Sequence, residues 1–381
     1  MVAKGDMLYA WASDAATLEK GECGGAVTAL LKYALESKMV DGVLAVKKGA
    51  DVFDASVEII TNPADVEKGA GSLHCGTLLL AKILTKYAPN MKLALPVKGC
   101  DLMGVLELAK RNKVNMDNLI LIGLNCGGTI APVDARKMIS EKFGIDPNDV
   151  VKEEIDKGQF IVITKDGQHK GISIDDLEEE GYGRRSNCRR CLYKVPRQAD
   201  LACGNWGVVG DKAGKATFVE VCSDKGANLV KKANDGGVLE VSKADEKGIA
   251  IRGKVENAML KLGEKWRKHD FEPISENLWD VINKETARCI KCYSCIENCP
   301  VCIADEEEMK KGSKMVKPGQ VPPPPMFHMR RFAHISDSCI NCGQCEELCA
   351  MDIPLALLGH AIRAEADAAF EPKLGDSLYK N

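Results

Sequence analysis

The feature that most limits what this chain can become is a pair of cysteine runs near its end. Cys289, Cys292, Cys295 and Cys299 form one C-x2-C-x2-C-x3-C run, closed by Pro300. Cys339, Cys342, Cys345 and Cys349 repeat the spacing. In such runs three closely spaced thiolates wrap one cubane, and the fourth cysteine, on a short helical turn, ligates the other. The spacing therefore predicts one [4Fe–4S] cluster on Cys289, Cys292, Cys295 and Cys349, and a second on Cys339, Cys342, Cys345 and Cys299. Zinc knuckles are the alternative, since C-x2-C is also zinc spacing. A zinc ion needs four ligands in total, and two matched runs of four disfavour it. The second run departs in one respect, with Ala350 after its last cysteine and a proline delayed to Pro354. A module of this kind moves single electrons, so the remaining residues must supply their destination.

A length of 381 residues suggests two or three domains. The formal net charge of −3 gives no argument for a nucleic-acid partner. Seventeen cysteines, with two full runs assigned to clusters, call for a reducing compartment. The first residues contain no apolar core of signal-peptide length. Apolar runs such as Leu119–Leu124 fall far short of a membrane span. A cytoplasmic protein without membrane insertion is expected.

Ahead of the cysteine runs the pattern is α/β. The first ordered element is expected to be a helix beginning at Gly24 and Gly25, with Leu30, Leu31 and Leu35 on one face. Strands are expected over 42–46 and 56–60, a short helix from Pro63, and a helix from Leu78 to Tyr87. Two apolar strands follow, 92–97 and 119–125, each leading into a helix, an order that implies parallel pairing. Asp166 and Gly167 mark a hairpin between 159–164 and 168–174. Strands at Val208–Val209 and Ala216–Val221 and a helix from Asp224 close this part near residue 242. Amphipathic helix fills 247–286. Between the cysteine runs lie a charged stretch, Asp305–Lys311, and the prolines 322–325, expected to be stiff and extended. Leu355–Ala369 reads as a closing helix. The predicted organisation is a flavin and iron–sulfur α/β domain (1–242), a helical connector (243–286) and a two-cluster ferredoxin-like domain (287–381).

The topology itself suggests a third cluster. Cys100 and Cys126 each stand just beyond the carboxyl end of an apolar parallel strand, where open α/β sheets place their ligands. If those strands are neighbours, both thiols reach one edge, and Cys188 with Cys191 completes a set of four. Cys75 is the substitute if Cys100 is free. Residues 184–197 carry Arg184, Arg185, Arg189, Arg190, Lys194 and Arg197 with no acidic residue, a basic run suited to an anionic cluster or anionic ligand. Cys23, Cys203, Cys222 and Cys302 are left as buried thiols. A hydride-accepting substrate would need a converter between one- and two-electron chemistry, which flavin supplies. Gly24, Gly25 and Thr28 open a helix whose free amides suit a pyrophosphate, and Lys98 and Gly99 are further candidate contacts.

Gly24-Gly25 with Thr28, Cys100, Cys126, the Cys188/Cys191 pair and the segment Gly204-Asn205-Trp206-Gly207 together resemble the beta subunits of coenzyme F420-dependent hydrogenases and dehydrogenases, over roughly residues 20–240. The appended module, with Cys302 and the proline-bearing insert, is similar to that of the formate dehydrogenase beta subunits of methanogenic archaea. The resemblance implies noncovalent FAD, one [4Fe–4S] cluster in the N-terminal domain, and hydride exchange with coenzyme F420. Asn205 stands where the family often has aspartate and is assigned to flavin contact. It also implies a molybdopterin-containing alpha subunit that oxidises formate; related subunits serve hydrogenase or heterodisulfide reductase assemblies. No side chain is expected to act as a catalytic acid or base. The coenzyme's anionic tail is assigned, on charge, to Arg184, Arg185 or Arg197. A flavin-free polyferredoxin-like relay is the competing expectation.

Overall fold

A computed structural model describes residues 2–76, 78–87, 90–156, 158–302, 321, 323 and 325–369. Its strands are β1 (Met7–Ala12), β2 (Gly42–Lys48), β3 (Ala55–Ile60), β4 (Leu93–Val97), β5 (Leu119–Leu124), β6 (Val150–Asp156), β7 (Gln159–Thr164), β8 (His169–Ser173), β9 (Leu201–Gly204), β10 (Thr217–Val221) and β11 (Leu239–Lys243). They form an eight-stranded sheet in the order β11-β1-β10-β9-β5-β4-β2-β3 and a three-stranded sheet, β6-β7-β8. The helix after Gly24 and Gly25, Ala26–Glu36, is preceded by β1 and by a short helix over Ala15–Lys20, so it is not the first ordered element. Near residue 208 the strand is Leu201–Gly204 rather than Val208–Val209.

The parallel core is β2, β4, β5 and β9, with antiparallel strands on both flanks. β4 and β5 are neighbours in register, Leu95 opposite Leu121 and Val97 opposite Gly123. Pro96 is tolerated inside this sheet because pairing of β4 with β2 ends at Ala94, leaving no ladder bond on that side for the missing N–H.

Side chains along β4 and β5 alternate between two cores, as a strand buried on both faces requires. Ala94, Ile120 and Ile122 face a core with Leu30 and Leu229 of the helices Ala26–Glu36 and Asp224–Asp235. Leu95, Leu119 and Leu121 face a core that includes Leu102, Leu108, Phe332, Ile340, Ile353 and Leu358. The cysteine-rich module therefore shares apolar packing with the large sheet. Gly104 makes room for it: a Cβ there would stand 3.3 Å from Ile340 and 2.8 Å from Ala81.

The connector is two helices, Glu246–Ser275 and Leu278–Thr286. The first is capped by Asp245, which accepts from the Gly248 N–H at 2.6 Å. Pro325 opens a helix, Pro325–Ile335, rather than continuing an extended segment; Asp305–Lys311, Pro322 and Pro324 lie outside the described residues. The closing helix is Leu355–Ala369. Among the described residues no helix is long and apolar enough to cross a membrane.

Candidate metal centres

The two cysteine runs wrap their loops alike. Lys291 and Asn341, each between the first two cysteines of its run, adopt φ of 56° and 53°; Tyr293 and Gly343, each after the second cysteine, adopt 64° and 79°. Left-handed backbone at a non-glycine residue costs roughly 1–2 kcal/mol, and such strain collects at functional sites. One cavity is lined by Cys289, Cys292, Cys295 and Cys349, with Phe327 and His328 beside them. A second is lined by Cys299, Cys339, Cys342 and Cys345. Each cavity thus draws three thiols from one run and the fourth from the other, the crossed grouping expected from the spacing.

Burial disfavours the charged form of several of these sulfurs. Burial pushes the Cys339 thiol up to about 11 and raises Cys295 and Cys345. Cys299 moves the other way, chiefly because the Cys302 thiol donates to it. A buried cation stands between the cavities. The Arg331 guanidinium donates to the Cys295 carbonyl at 3.2 Å, and Cys295, Cys345, Cys302 and Cys299 outweigh the burial that opposes its charge. His328 is 1 % exposed with neither ring nitrogen hydrogen-bonded, and burial pushes its pKa down to about 3, keeping it neutral. Neither residue was anticipated from the sequence. Among the described residues, no three His, Cys, Asp or Glu side chains converge tightly enough to hold a single ion.

Cys100, Cys126, Cys188 and Cys191 also come together. Because β4 and β5 are parallel neighbours, Cys100, in the first turn of the helix Gly99–Lys110, lies beside Cys126. Burial raises all three of Cys100, Cys126 and Cys191, Cys126 to about 11. Cys126 and Cys191 add to the rise at Cys100, and Cys188 and Cys191 to that at Cys126. The Cys188–Cys191 loop is fixed from several sides: Cys126 N–H donates to the Lys194 carbonyl at 2.9 Å, and Tyr193 N–H to Cys191 Sγ at 3.4 Å. The long connector helix braces it, with Asp270 accepting from Arg190 at 2.8 Å and Trp266 beneath Arg189. Cys75 is elsewhere, in the core of the small sheet with Phe143 and Phe160, its N–H donating to Glu153 at 3.1 Å.

The basic run is neutralised internally. Arg184 pairs with Glu178, Arg185 with Glu347, and Arg197 with both Glu220 and Glu256. These pairings leave the expected role for the coenzyme's tail without support from a free cationic face. The flavin candidates share the carboxyl edge of the parallel strands. Gly24 and Gly25, at φ of 83° and 65°, lead into the helix Ala26–Glu36 from the short helix Ala15–Lys20; a Cβ on Gly24 would stand 2.3 Å from the Lys215 carbonyl and one on Gly25 2.5 Å from that of Thr17. Their glycine character is thus accounted for by packing. Thr28 is buried in the first turn. Lys98 bonds Asp101 at 3.0 Å and the Leu78 carbonyl at 3.1 Å; burial opposes its charge, but Asp101, Cys100 and Cys126 outweigh it. Lys98 is therefore a counter-charge to the Cys100/Cys126 group. Gly99 is held against the Tyr193 carbonyl, and Asn205 is exposed beyond β9.

A sheet whose carboxyl edge gathers four cysteines, joined to a module with two crossed quartets, defines an iron–sulfur protein of the electron-transferring class. Comparison with known proteins narrows this. Residues 7–85 match the family model "Coenzyme F420 hydrogenase/dehydrogenase, beta subunit N-term", residues 90–247 its C-terminal counterpart, and residues 288–353 a 4Fe-4S dicluster domain. The chain is 49 % identical over 353 residues to the F420-dependent formate dehydrogenase subunit beta of Methanocaldococcus jannaschii, covering 92 % of each. It is 49 % identical over 378 residues to subunit beta of F420-dependent formate dehydrogenase 1 of Methanococcus maripaludis, covering 97 % of this chain and 96 % of that one. A chain in a structure of the F420-reducing [NiFe] hydrogenase complex from Methanosarcina barkeri shares the fold, at a TM-score of 0.60 and 20 % identity over 70 % of this chain and 92 % of that one. The chain belongs to the F420-dependent formate dehydrogenase beta-subunit family, and its role is that of an electron-transferring oxidoreductase subunit.

Proposed function

We propose that this chain carries electrons released by formate oxidation, in a molybdopterin-containing alpha subunit in the cytoplasm, to coenzyme F420. The single observation that carries the reading is the gathering of twelve cysteines into three groups of four, two around separate cavities and one at the carboxyl edge of the parallel strands. Each quartet fits a [4Fe–4S] cluster: every thiol except that of Cys292 is at least partly buried, and backbone and side-chain contacts hold the loops that carry them. When bound, the clusters pass single electrons and FAD exchanges them for a hydride. The chain's own residues position and insulate. Arg331 and Lys98 place positive charge beside the thiolates, and apolar side chains pack against all the C-terminal thiols except Cys292. FAD is assigned to the carboxyl edge, with Gly24, Gly25, Thr28, Gly99 and Asn205 as its candidate contacts; their common edge is what supports this. Residues 1–242 would form the flavin and cluster domain, 243–286 the brace, and 287–381 the entry module.

The absorption spectrum of cofactor released by acid tests the flavin assignment. A flavin spectrum is expected; protein that remains flavin-free after reconstitution with FAD would leave a pure iron–sulfur relay. The copurifying large subunit separates a formate-oxidising partner from a hydrogenase.

A further inference from the structure

The two cysteine runs differ where their loops are otherwise alike. Tyr293 and Gly343 occupy equivalent left-handed positions, yet only at the second does another segment pack where the side chain would be. A Cβ on Gly343 would stand 2.4 Å from Asn187 Oδ1 and 2.6 Å from Arg185 Nη2. What docks there is the segment just before Cys188. Arg185 pairs with Glu347 at 2.5 Å, and Ser186 Oγ donates to Glu346 at 2.8 Å. Asn187 and Asn341 exchange bonds: Asn187 Nδ2 donates to the Asn341 carbonyl at 3.1 Å, and Asn341 Nδ2 to the Asn187 carbonyl at 2.9 Å. Both amide side chains are buried. Asn187 adjoins Cys188 and Asn341 adjoins Cys342, so two reciprocal bonds from side-chain amide to carbonyl tie together the residues next to two proposed cluster ligands. Glu346 also accepts from Ala356 and Leu357 N–H, anchoring the junction to the closing helix.

We propose that Arg185, Asn187 and Asn341 form the electron-transfer junction between the Cys100/Cys126/Cys188/Cys191 site and the Cys299/Cys339/Cys342/Cys345 site, which leaves the Cys289/Cys292/Cys295/Cys349 site as the partner-facing entry. This rests on the three-cluster reading above. One electron leaves the cluster on Cys342 and arrives on the cluster at Cys188; no covalent bond changes and no proton crosses, because the amides are neutral and guanidinium keeps its charge. The asparagines act as positioning residues, fixing the separation of the two loops. Arg185, its side chain 9 % exposed and paired with Glu347, places its guanidinium at the junction. Cys188, Cys342 and Cys100 all favour that charge against its burial.

The test is potentiometric titration of the full, cluster-loaded chain followed by EPR, with Arg185→Gln and Arg185→Lys. Removing the charge is expected to disfavour reduction of the Cys188 and Cys342 clusters about tenfold each, which is 59 mV for a one-electron couple. The Cys289 cluster should stay within about twofold of its own value, and Arg185→Lys should recover most of the shift. Equal shifts at all three clusters, or none, overturn the junction while three clusters remain. Should Arg185→Gln not load, the wild-type protein and Cys292→Ser decide the matter. The N-terminal cluster's magnetic coupling should survive disruption of the Cys289 site, and its loss overturns the assigned order. Wild-type protein with about eight irons rather than twelve would remove the N-terminal cluster, and the junction with it.

Discussion

Gly99→Ala is the smallest change that should empty one centre and spare the others. A methyl at Gly99 would stand 2.0 Å from the Tyr193 carbonyl oxygen and 2.8 Å from its Cβ. Ordinary contact begins at 3.4 Å, so the two segments must part by about 1.4 Å. The obstacle is a backbone atom, not the end of a flexible side chain. Gly99 adjoins Cys100, and Tyr193 N–H bonds Cys191 Sγ at 3.4 Å, so the parting separates two proposed ligands of the same cluster. Sites of this kind tolerate about 0.5 Å of misplacement, and overpacking costs about 1–3 kcal/mol, too little to unfold the protein outright. Iron should fall from about twelve to about eight per chain, with the EPR signals of the C-terminal clusters retained. Gly253→Ala is the control, since nothing lies within 4 Å of a Cβ there. Full iron content and unchanged spectra in Gly99→Ala would refute the reasoning.

Other perturbations have equally definite outcomes. Arg252, 2 % exposed, pairs with Glu220 at 2.5 Å and donates to the Ala202 and Trp206 carbonyls at 3.2 Å. Arg252→Met should cost about 3–5 kcal/mol, read as a fall of the order of 10 °C in thermal midpoint. Burial pushes the Glu220 carboxyl up, but its bonds to Arg197 and Arg252 outweigh this and hold it below its ordinary 4.5. Its contribution is therefore present above pH 4.5 and lost as pH falls below that through the lowered folded value; acid unfolding curves of wild type and Arg252→Met should converge there. His328→Leu removes a neutral N–H donor beside the Cys289 cavity and should make that cluster harder to reduce; an unchanged midpoint would exclude the role. Reloading iron into stripped protein should release protons at neutral pH, because burial pushes the free Cys126 and Cys339 thiols up to about 11 and keeps them protonated. A pH-stat records the release, and none would mean the thiols were already ionised.

Local spacing made the C-terminal quartets legible, because the ligands of each loop lie within a few residues of one another. Cys100 and Cys126 were legible through topology: two apolar strands joined by a helix pair in parallel, which brings their ends together. The small sheet's third strand, β6, and the pairing of β1 with strands more than two hundred residues away left no comparable local pattern. The arginines show the limit most clearly. Their crowding in 184–197 was visible, but Glu178, Glu347, Glu220 and Glu256, which neutralise three of them, come from four other places. Arg331 lies in a helix that the prolines before it obscured, and the Asn187–Asn341 exchange joins residues 154 apart.

The most direct test is chemical. Anaerobic protein loaded with iron, sulfide and FAD should receive electrons from a reduced viologen and bleach the absorption of added coenzyme F420, without the alpha subunit or formate. Reduction of the clusters and flavin with no change in the coenzyme would contradict the account.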